Sequence, residues 1–185
     1  MRILIFSDLH GSVTACRRLL DIFDEERCDR MFLLGDFSNY GPRNGVPDDL
    51  DAPSIVSLLN SRFDRITAVR GNCDSEVDQM LFQFPMMQDY VVETVAGRRL
   101  FLTHGHHYNA QRWPGLHFDA LFYGHTHRWQ LERVGKGPLI CNPGSPTFPK
   151  NGNPPTYALL TAENDTLSVQ VRRLSDGIVL SELKI

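Results

Sequence analysis

The sequence predicts an α/β fold in which two mixed β-sheets pack face to face with helices outside. Three observations carry this expectation. Five apolar runs of strand length end in Asp, Asn or His, and the C-terminal edge of such strands is where α/β folds place their sites. The N-terminal third alternates these runs with helical spacing, as βαβ crossovers do. After Pro85 the runs are joined by short turn signals and read as antiparallel hairpins.

The first strand, Met1–Ser7, leads into Asp8-Leu9-His10-Gly11, and alternation points Asp8 and His10 to the same side. Gly11 permits a tight turn and Ser12 suits an N-cap. Val13, Cys16, Leu19, Leu20 and Phe23 then recur at spacings of three and four, an amphipathic helix that returns across the sheet. A right-handed crossover leads to Met31-Phe-Leu-Leu-Gly-Asp36, a buried strand closed by a glycine and a carboxylate.

The loop 37–52 is long, and loops of this length without structure of their own are often functional. A second helix starts near Pro53 with Ile55, Val56, Leu58 and Leu59 as its buried face. The strand Arg65–Val69 leads into Gly71-Asn72-Cys73-Asp74, where Asp74 or Ser75 suits the cap of a short helix ending at Met80 or Leu81.

Asp89–Val95 and Arg98–Thr103 flank the turn Ala96-Gly97, and the second of them leads into His104-Gly105-His106-His107. Ala120–Tyr123 leads into Gly124-His125-Thr126-His127. Gln130–Val134 pairs with Leu139–Cys141, Tyr157–Ala162 pairs with Thr166–Arg173, and Ile178–Leu183 closes the chain. Asn142–Pro155 reads as a loop because strand patterns resume after it. No boundary, repeat or low-complexity tract divides the chain, so residues 1–185 form one domain.

A net charge of -3 leaves no nucleic-acid footprint and no polybasic membrane surface. Cys16, Cys28, Cys73 and Cys141 are scattered, without a CxxC pair, which argues against a structural zinc or a disulfide framework and suits a reducing cytoplasm. No signal peptide is visible, and the apolar runs fall short of the ~20 residues of a membrane span.

Asp8, His10, Asp36, Asn72, His104, His125 and His127 collect at the strand ends. One histidine after a strand is ordinarily a surface or capped residue; ligand types after five separate strands point to a metal centre. All seven are nitrogen or oxygen donors, which suits Mn²⁺, Fe or Zn²⁺ rather than Cu(I) or an iron–sulfur cluster. Seven is too many for one catalytic zinc and the right number for two metals sharing one carboxylate.

These residues also carry a resemblance. Asp8-x-His10, Gly35-Asp36, Gly71-Asn72-x-Asp74, His104-Gly105-His106 and Gly124-His125-x-His127 resemble, in order, the signature of calcineurin-like metallophosphoesterases. Gly41-Pro-Arg-Asn44, Gly71–Gln79 and Asn142-Pro-Gly-Ser145 resemble the YfcE-type phosphodiesterase branch, and the likeness covers nearly the whole chain. It implies a four-layer αββα sandwich. It also implies one metal held by Asp8, His10, Asp36 and His127, and a second held by Asp36, Asn72, His104 and His125, with Asp36 as the bridge. The implied cofactor is Mn²⁺, with Fe, Zn²⁺, Ni²⁺ or Mg²⁺ as other choices.

The implied activity is hydrolysis of a small phosphate diester by a hydroxide bridging two cations ~3.5–4 Å apart. Neither Ser145 nor Cys73 is needed as a nucleophile. A phosphomonoesterase or nucleotide phosphatase on the same site is the neighbouring alternative. A non-catalytic scaffold, such as the retromer subunit of similar fold, is a different class, but a scaffold has no need of seven intact ligands.

One position departs from the wider family. Cys73 stands where many relatives carry the histidine that protonates the leaving oxygen, and Asp74 would have oriented that histidine. A thiol near ~8.5 is a poorer acid at pH 7 than an imidazolium near ~6.5, so poor leaving groups should suffer. Asn39, Arg43 and His106 are the candidate substrate contacts, the Arg43 guanidinium because its fork matches phosphate oxygens. His117 reads as a surface residue, Trp113 and Trp129 as packing or interface residues, and a homo-oligomer is compatible with them.

Overall fold

Alternation along the first strand decides the layering. The computed structural model describes residues 1–133 and 135–185. The chain runs β1 (Arg2–Phe6), α1 (Val13–Glu25), β2 (Arg30–Leu33), α2 (Ala52–Asn60), β3 (Ile66–Ala68), α3 (Glu76–Leu81), β4 (Tyr90–Val95), β5 (Arg98–Thr103), β6 (Ala120–Phe122), β7 (Trp129–Arg133), β8 (Leu139–Pro143), β9 (Thr156–Glu163), β10 (Thr166–Arg173) and β11 (Val179–Lys184). On β1, Leu4 and Phe6 face α1 and α2, while Ile3 and Ile5 face the second sheet. All four are essentially inaccessible to solvent, and complete burial of such side chains is worth about 1.5–3 kcal/mol each.

The first sheet has the order β11-β10-β9-β1-β2-β3, with β1, β2 and β3 parallel and β9, β10 and β11 antiparallel. The second has the order β4-β5-β6-β8-β7; β5, β6 and β8 are parallel, and β4 and β7 pair antiparallel at its edges. Both sheets are mixed, as the change from crossovers to hairpins predicts. Between them lie Ile3, Ile5, Phe32 and Leu34 against Leu100, Leu102, Phe122 and Cys141.

The helices cover the first sheet. Ser12 caps α1 by accepting from Ala15 N, and Asp51 caps α2 by accepting from Ser54 N, with a proline in the first turn. Ile55 and Leu59 are the buried residues of α2, and Val56 and Leu58 pack partly against the same cluster. Ser75, not Asp74, caps α3, and Asp78 completes a capping box. The outer face of the second sheet is covered differently. Phe101, Leu121 and Ile140 are closed over by Tyr108 and Phe118 from the irregular segment 104–119, so that outermost layer is loop rather than helix. Its proline and two glycines, Pro114, Gly105 and Gly115, do not support a helix there.

The last residue assigned by sequence to β7, Val134, lies outside the described residues. Among the described residues no helix is long and apolar enough to cross a membrane. The arrangement brings the C-terminal ends of β1, β2 and β3 against those of β5 and β6. The five turns that carry the candidate ligands therefore meet at one edge of the sandwich.

Candidate metal centre

Each turn is built from a tight backbone. Asp8, His10, Asp36, His125 and His127 all have left-handed backbone, with φ of 58°, 47°, 58°, 68° and 58°. Such conformations cost a non-glycine residue of order 1–3 kcal/mol and persist only where the surroundings fix them. Here Asp8 N donates to Gly35 O, His10 N to Asp36 O and Gly11 N to Phe37 O, each at 3.0 Å, zipping the first two turns together. The glycines before Asp36, Asn72 and His125 make room. A Cβ at Gly71 would lie 2.1 Å from Asp36 Oδ1, and one at Gly124 would lie 1.9 Å from Ser7 Oγ and 2.8 Å from Asp8 Oδ2.

The seven donors converge as two overlapping groups. His10 Nε2 lies 3.1 Å from His127 Nε2, and these two are 3.7 and 3.4 Å from Asp8 Oδ1. His104 Nε2 lies 3.1 Å from Asn72 Oδ1 and 3.3 Å from His125 Nδ1. Asp36 Oδ2 stands between the groups, 3.6 Å from His10 Nε2 and 3.4 Å from His104 Nε2. Asp8, His10, Asp36, His104 and His127 are all buried.

The hydrogen bonds behind the rings fix what the front nitrogens carry. Nδ1 of His10, His104 and His127 meets the carbonyls of Asn39 (2.9 Å), Leu34 (2.7 Å) and Phe148 (2.8 Å), so each Nδ1 holds the proton and donates. Each Nε2 then presents a lone pair, or a second proton, toward the carboxylates. Asp8 Oδ1 is buried without a hydrogen-bond partner among the described residues. The gaps of 3.4–3.7 Å are longer than hydrogen bonds. Donors each ~2.1 Å from one ion stand ~3.0–3.4 Å apart, so the spacing fits cations between them.

Charge says the same. Burial pushes the Asp8 carboxyl up, but the neighbouring histidines His10 and His127 outweigh that and hold it well below the usual range. Asp36 is lowered likewise: His104 overcomes its burial. Burial acts to lower His104, yet Asp36 and Asp8 raise it to about 9. Two buried carboxylates thus demand positive charge at this point, and divalent metals fit the demand and the donor set.

Asp74 is almost fully buried and accepts three backbone N–H groups, from Asp36 (2.9 Å), Phe37 (3.0 Å) and Gly71 (2.7 Å). It clamps the second and third turns together. Burial and then the Asp36 charge raise its carboxyl to about 6, against those three bonds. Cys73 N donates to Asp36 Oδ1 at 2.8 Å, and burial followed by the Asp36 charge pushes its thiol up to about 12. The Sγ atom is near His10 and Asp36, but a thiol this reluctant to ionise is a poor ligand beside the oxygen and nitrogen donors.

A cleft of about 380 Å³ opens over Asp36, Asn72, Cys73, His125 and His127. Asn39 and Arg43, expected to meet substrate, are on its wall; Asn39 also supports His10 through its carbonyl, and its Oδ1 accepts from Gly41 N. His106, expected there too, does not line the cleft. It packs against His107 and His104, with ring centroids 4.0 and 5.3 Å apart, and burial, then the neighbouring histidines, lowers it to about 4.

Asn44 and Lys150 on the wall were not singled out by the sequence. Asn44 Nδ2 is 3.3 Å from His10 Nε2, and the motif Gly41-Pro-Arg-Asn44 contained that signal. Lys150 belongs to no motif. The stretch Asn142-Pro-Gly-Ser145 is support: Asn142 Nδ2 donates to Gly124 O (2.7 Å), and Ser145 Oγ donates to Asp8 O (2.9 Å) while accepting from Phe148 N.

With this geometry in place, the relatives are informative. Residues 1–165 match the profile of the calcineurin-like phosphoesterase superfamily domain. The chain is 40% identical over 186 aligned positions to phosphodiesterase YfcE of Escherichia coli K12, covering 100% of this chain and 98% of that protein. The solved structure of E. coli YfcE, a phosphoesterase, superposes with a TM-score of 0.91 over 99% of this chain and 98% of that one. Vacuolar protein sorting 29 from Cryptosporidium parvum, 20% identical, shares the fold with a TM-score of 0.71 over 100% of this chain and 97% of its own.

Proposed function

The chain belongs to the calcineurin-like phosphoesterase superfamily, and from that premise we propose that it is a phosphodiesterase working with two divalent metals, Mn²⁺ foremost. Asp8, His10, Asp36 and His127 would hold one ion, and Asp36, Asn72, His104 and His125 the other. When bound, the ions supply Lewis acidity toward water and toward the phosphate oxygens. The carrying observation is the convergence of the Nε2 atoms of His10, His104 and His127 on Asp8 and Asp36, with Asp8 Oδ1 without a hydrogen-bond partner among the described residues.

The remaining residues orient and select. Asp74 holds the backbone of Asp36, and with it the carboxylate that would serve both ions. Arg43 and Lys150 make the cleft wall positive, which suits an anionic ester. Cys73 faces the cleft with a thiol that gives up its proton reluctantly, which favours esters whose leaving oxygen needs no proton. Ser145 is fully buried and committed to Asp8 O, so no side chain of this motif attacks phosphorus. The scattered cysteines favour a reducing cytoplasm as the setting.

The test is metal analysis of the purified protein together with hydrolysis of bis(p-nitrophenyl) phosphate in added Mn²⁺. Asp36→Asn should abolish turnover and lower metal content by both equivalents, whereas Asn72→Ala should lower it by one. A metal-replete Asp36→Asn protein with wild-type turnover would refute the assignment.

A further inference from the structure

Beyond His125 the metal cleft continues into a second one of about 550 Å³, and Arg43, His125 and Lys150 line both. Its size is within the ~300–1,000 Å³ of small-molecule sites. Its walls differ from the first in chemistry. Trp129 gives it an aromatic surface, backed by Tyr123, whose hydroxyl is tied to Gln130. Arg128 joins Arg43 and Lys150 around the opening.

These three cations stand out in a chain of net charge -3. Among the described residues none of them has a carboxylate within ion-pair reach; Arg2, Arg18, Arg30, Arg62, Arg172 and Arg173 elsewhere do. Their side chains make no hydrogen bond to the protein either, and Arg43, Arg128 and Lys150 are all exposed. The nearest acid along the strand, Glu132, is taken by Gln130 Nε2 at 2.7 Å. The scissile phosphate would already be met at the metals, so cations placed beyond His125 face a different anion.

We propose that this second cleft is a subsite for one arm of the diester and that the arm is a nucleotide: a planar base against Trp129, and a second phosphate among Arg43, Arg128 and Lys150. Aromatic faces bind bases by stacking with little regard to sequence, and guanidinium forks bind phosphate in a bidentate manner. The inference rests on the phosphodiesterase reading and names its substrate class. A diester with two small neutral arms would leave this cleft unused.

The test uses the full chain with Trp113→Phe, which leaves Trp129 as the one indole, with and without Mn²⁺. Thymidine 3′,5′-bisphosphate should quench its emission saturably and bind at least tenfold more tightly than thymidine or inorganic phosphate. Arg128→Gln with Lys150→Gln should remove that preference. In turnover, a 3′-phosphate on thymidine 5′-(p-nitrophenyl phosphate) should raise kcat/KM at least fivefold, and the double variant should lose the gain. Equal binding of bisphosphate and phosphate, or a preference that survives the double variant, would overturn the subsite. If bis(p-nitrophenyl) phosphate is still cleaved in that case, the phosphodiesterase reading stands alone. Tight bisphosphate binding with no diester cleaved would leave the subsite and refute the reading of the activity.

Discussion

Gly71→Ala tests whether the placement of Asp36 is set by the absence of one methyl group. A Cβ at position 71 would lie 2.1 Å from Asp36 Oδ1 and 2.3 Å from Asp36 N. The second contact is to backbone, so no side-chain rotation relieves it. An ordinary carbon–oxygen contact requires about 3 Å or more, so the carboxylate must move by roughly 1 Å. A displacement of that size typically costs on the order of 10²-fold in rate, and overpacking of this kind about 1–3 kcal/mol in stability. The assay is kcat/KM for bis(p-nitrophenyl) phosphate at saturating Mn²⁺, read beside the denaturant midpoint. Gly115→Ala is the control, since nothing lies within 4 Å of its added Cβ and its φ is not positive; it should leave both unchanged. If folded Gly71→Ala kept kcat/KM within threefold of wild type, the close approach would not be what positions Asp36.

Two further outcomes follow from the charges. His104 is raised from 6.5 to about 9, so its contribution to folding, about 3 kcal/mol, is fully present below pH 6.5 and lost as pH rises to about 9; metal-free protein should show a falling Tm across that window, and saturating Mn²⁺, which replaces the proton, should flatten it. A Tm equally pH-dependent with Mn²⁺ bound would refute this account. Cys73→His should speed cleavage of poor, alkyl leaving groups by ~10²–10⁴-fold relative to nitrophenyl esters, because only the former need a proton. A leaving-group series at fixed metal saturation reads this, and parallel changes across the series would refute a proton-delivery role at position 73.

What the sequence made legible was whatever repeats a local rule. Five times a strand is followed by a ligand, and at 35, 71 and 124 a glycine precedes it. The structure gives the reason. In the turns of Asp8, Asp36 and His125 a left-handed residue at the strand end swings its side chain back over the sheet edge, and glycines at 35, 71 and 124 remove the Cβ that would block a neighbouring turn. Asp36 above Gly71, and Asp8 above Gly124, are two instances of one solution, so the motif can be read without knowing the partner strand. The cap of α3 shows the limit of this local reading. Asp74 and Ser75 are both good caps, and only the approach of Asp36 and Phe37 draws Asp74 away to bind two N–H groups of another turn and one, Gly71 N, of its own.

The outer surfaces follow no such rule. Asn44 and Lys150 reach the cleft because loops 37–52 and 142–155 fold over one end of the sandwich, Arg128 comes from the turn just before β7, and polar residues in such segments carry no periodicity. Trp129 has the opposite difficulty: packing against the inter-sheet core explains it fully, so nothing in the sequence separates its wall-lining role from its core role. His106 lies next to a ligand in sequence yet away from the cleft, since Gly105, at φ 119°, turns the chain between them. Chemistry anchored to strand ends is therefore written locally, while specificity depends on which loops meet. The proposed metal centre belongs to the first kind and the proposed nucleotide subsite to the second, and only the second needed the fold to be seen.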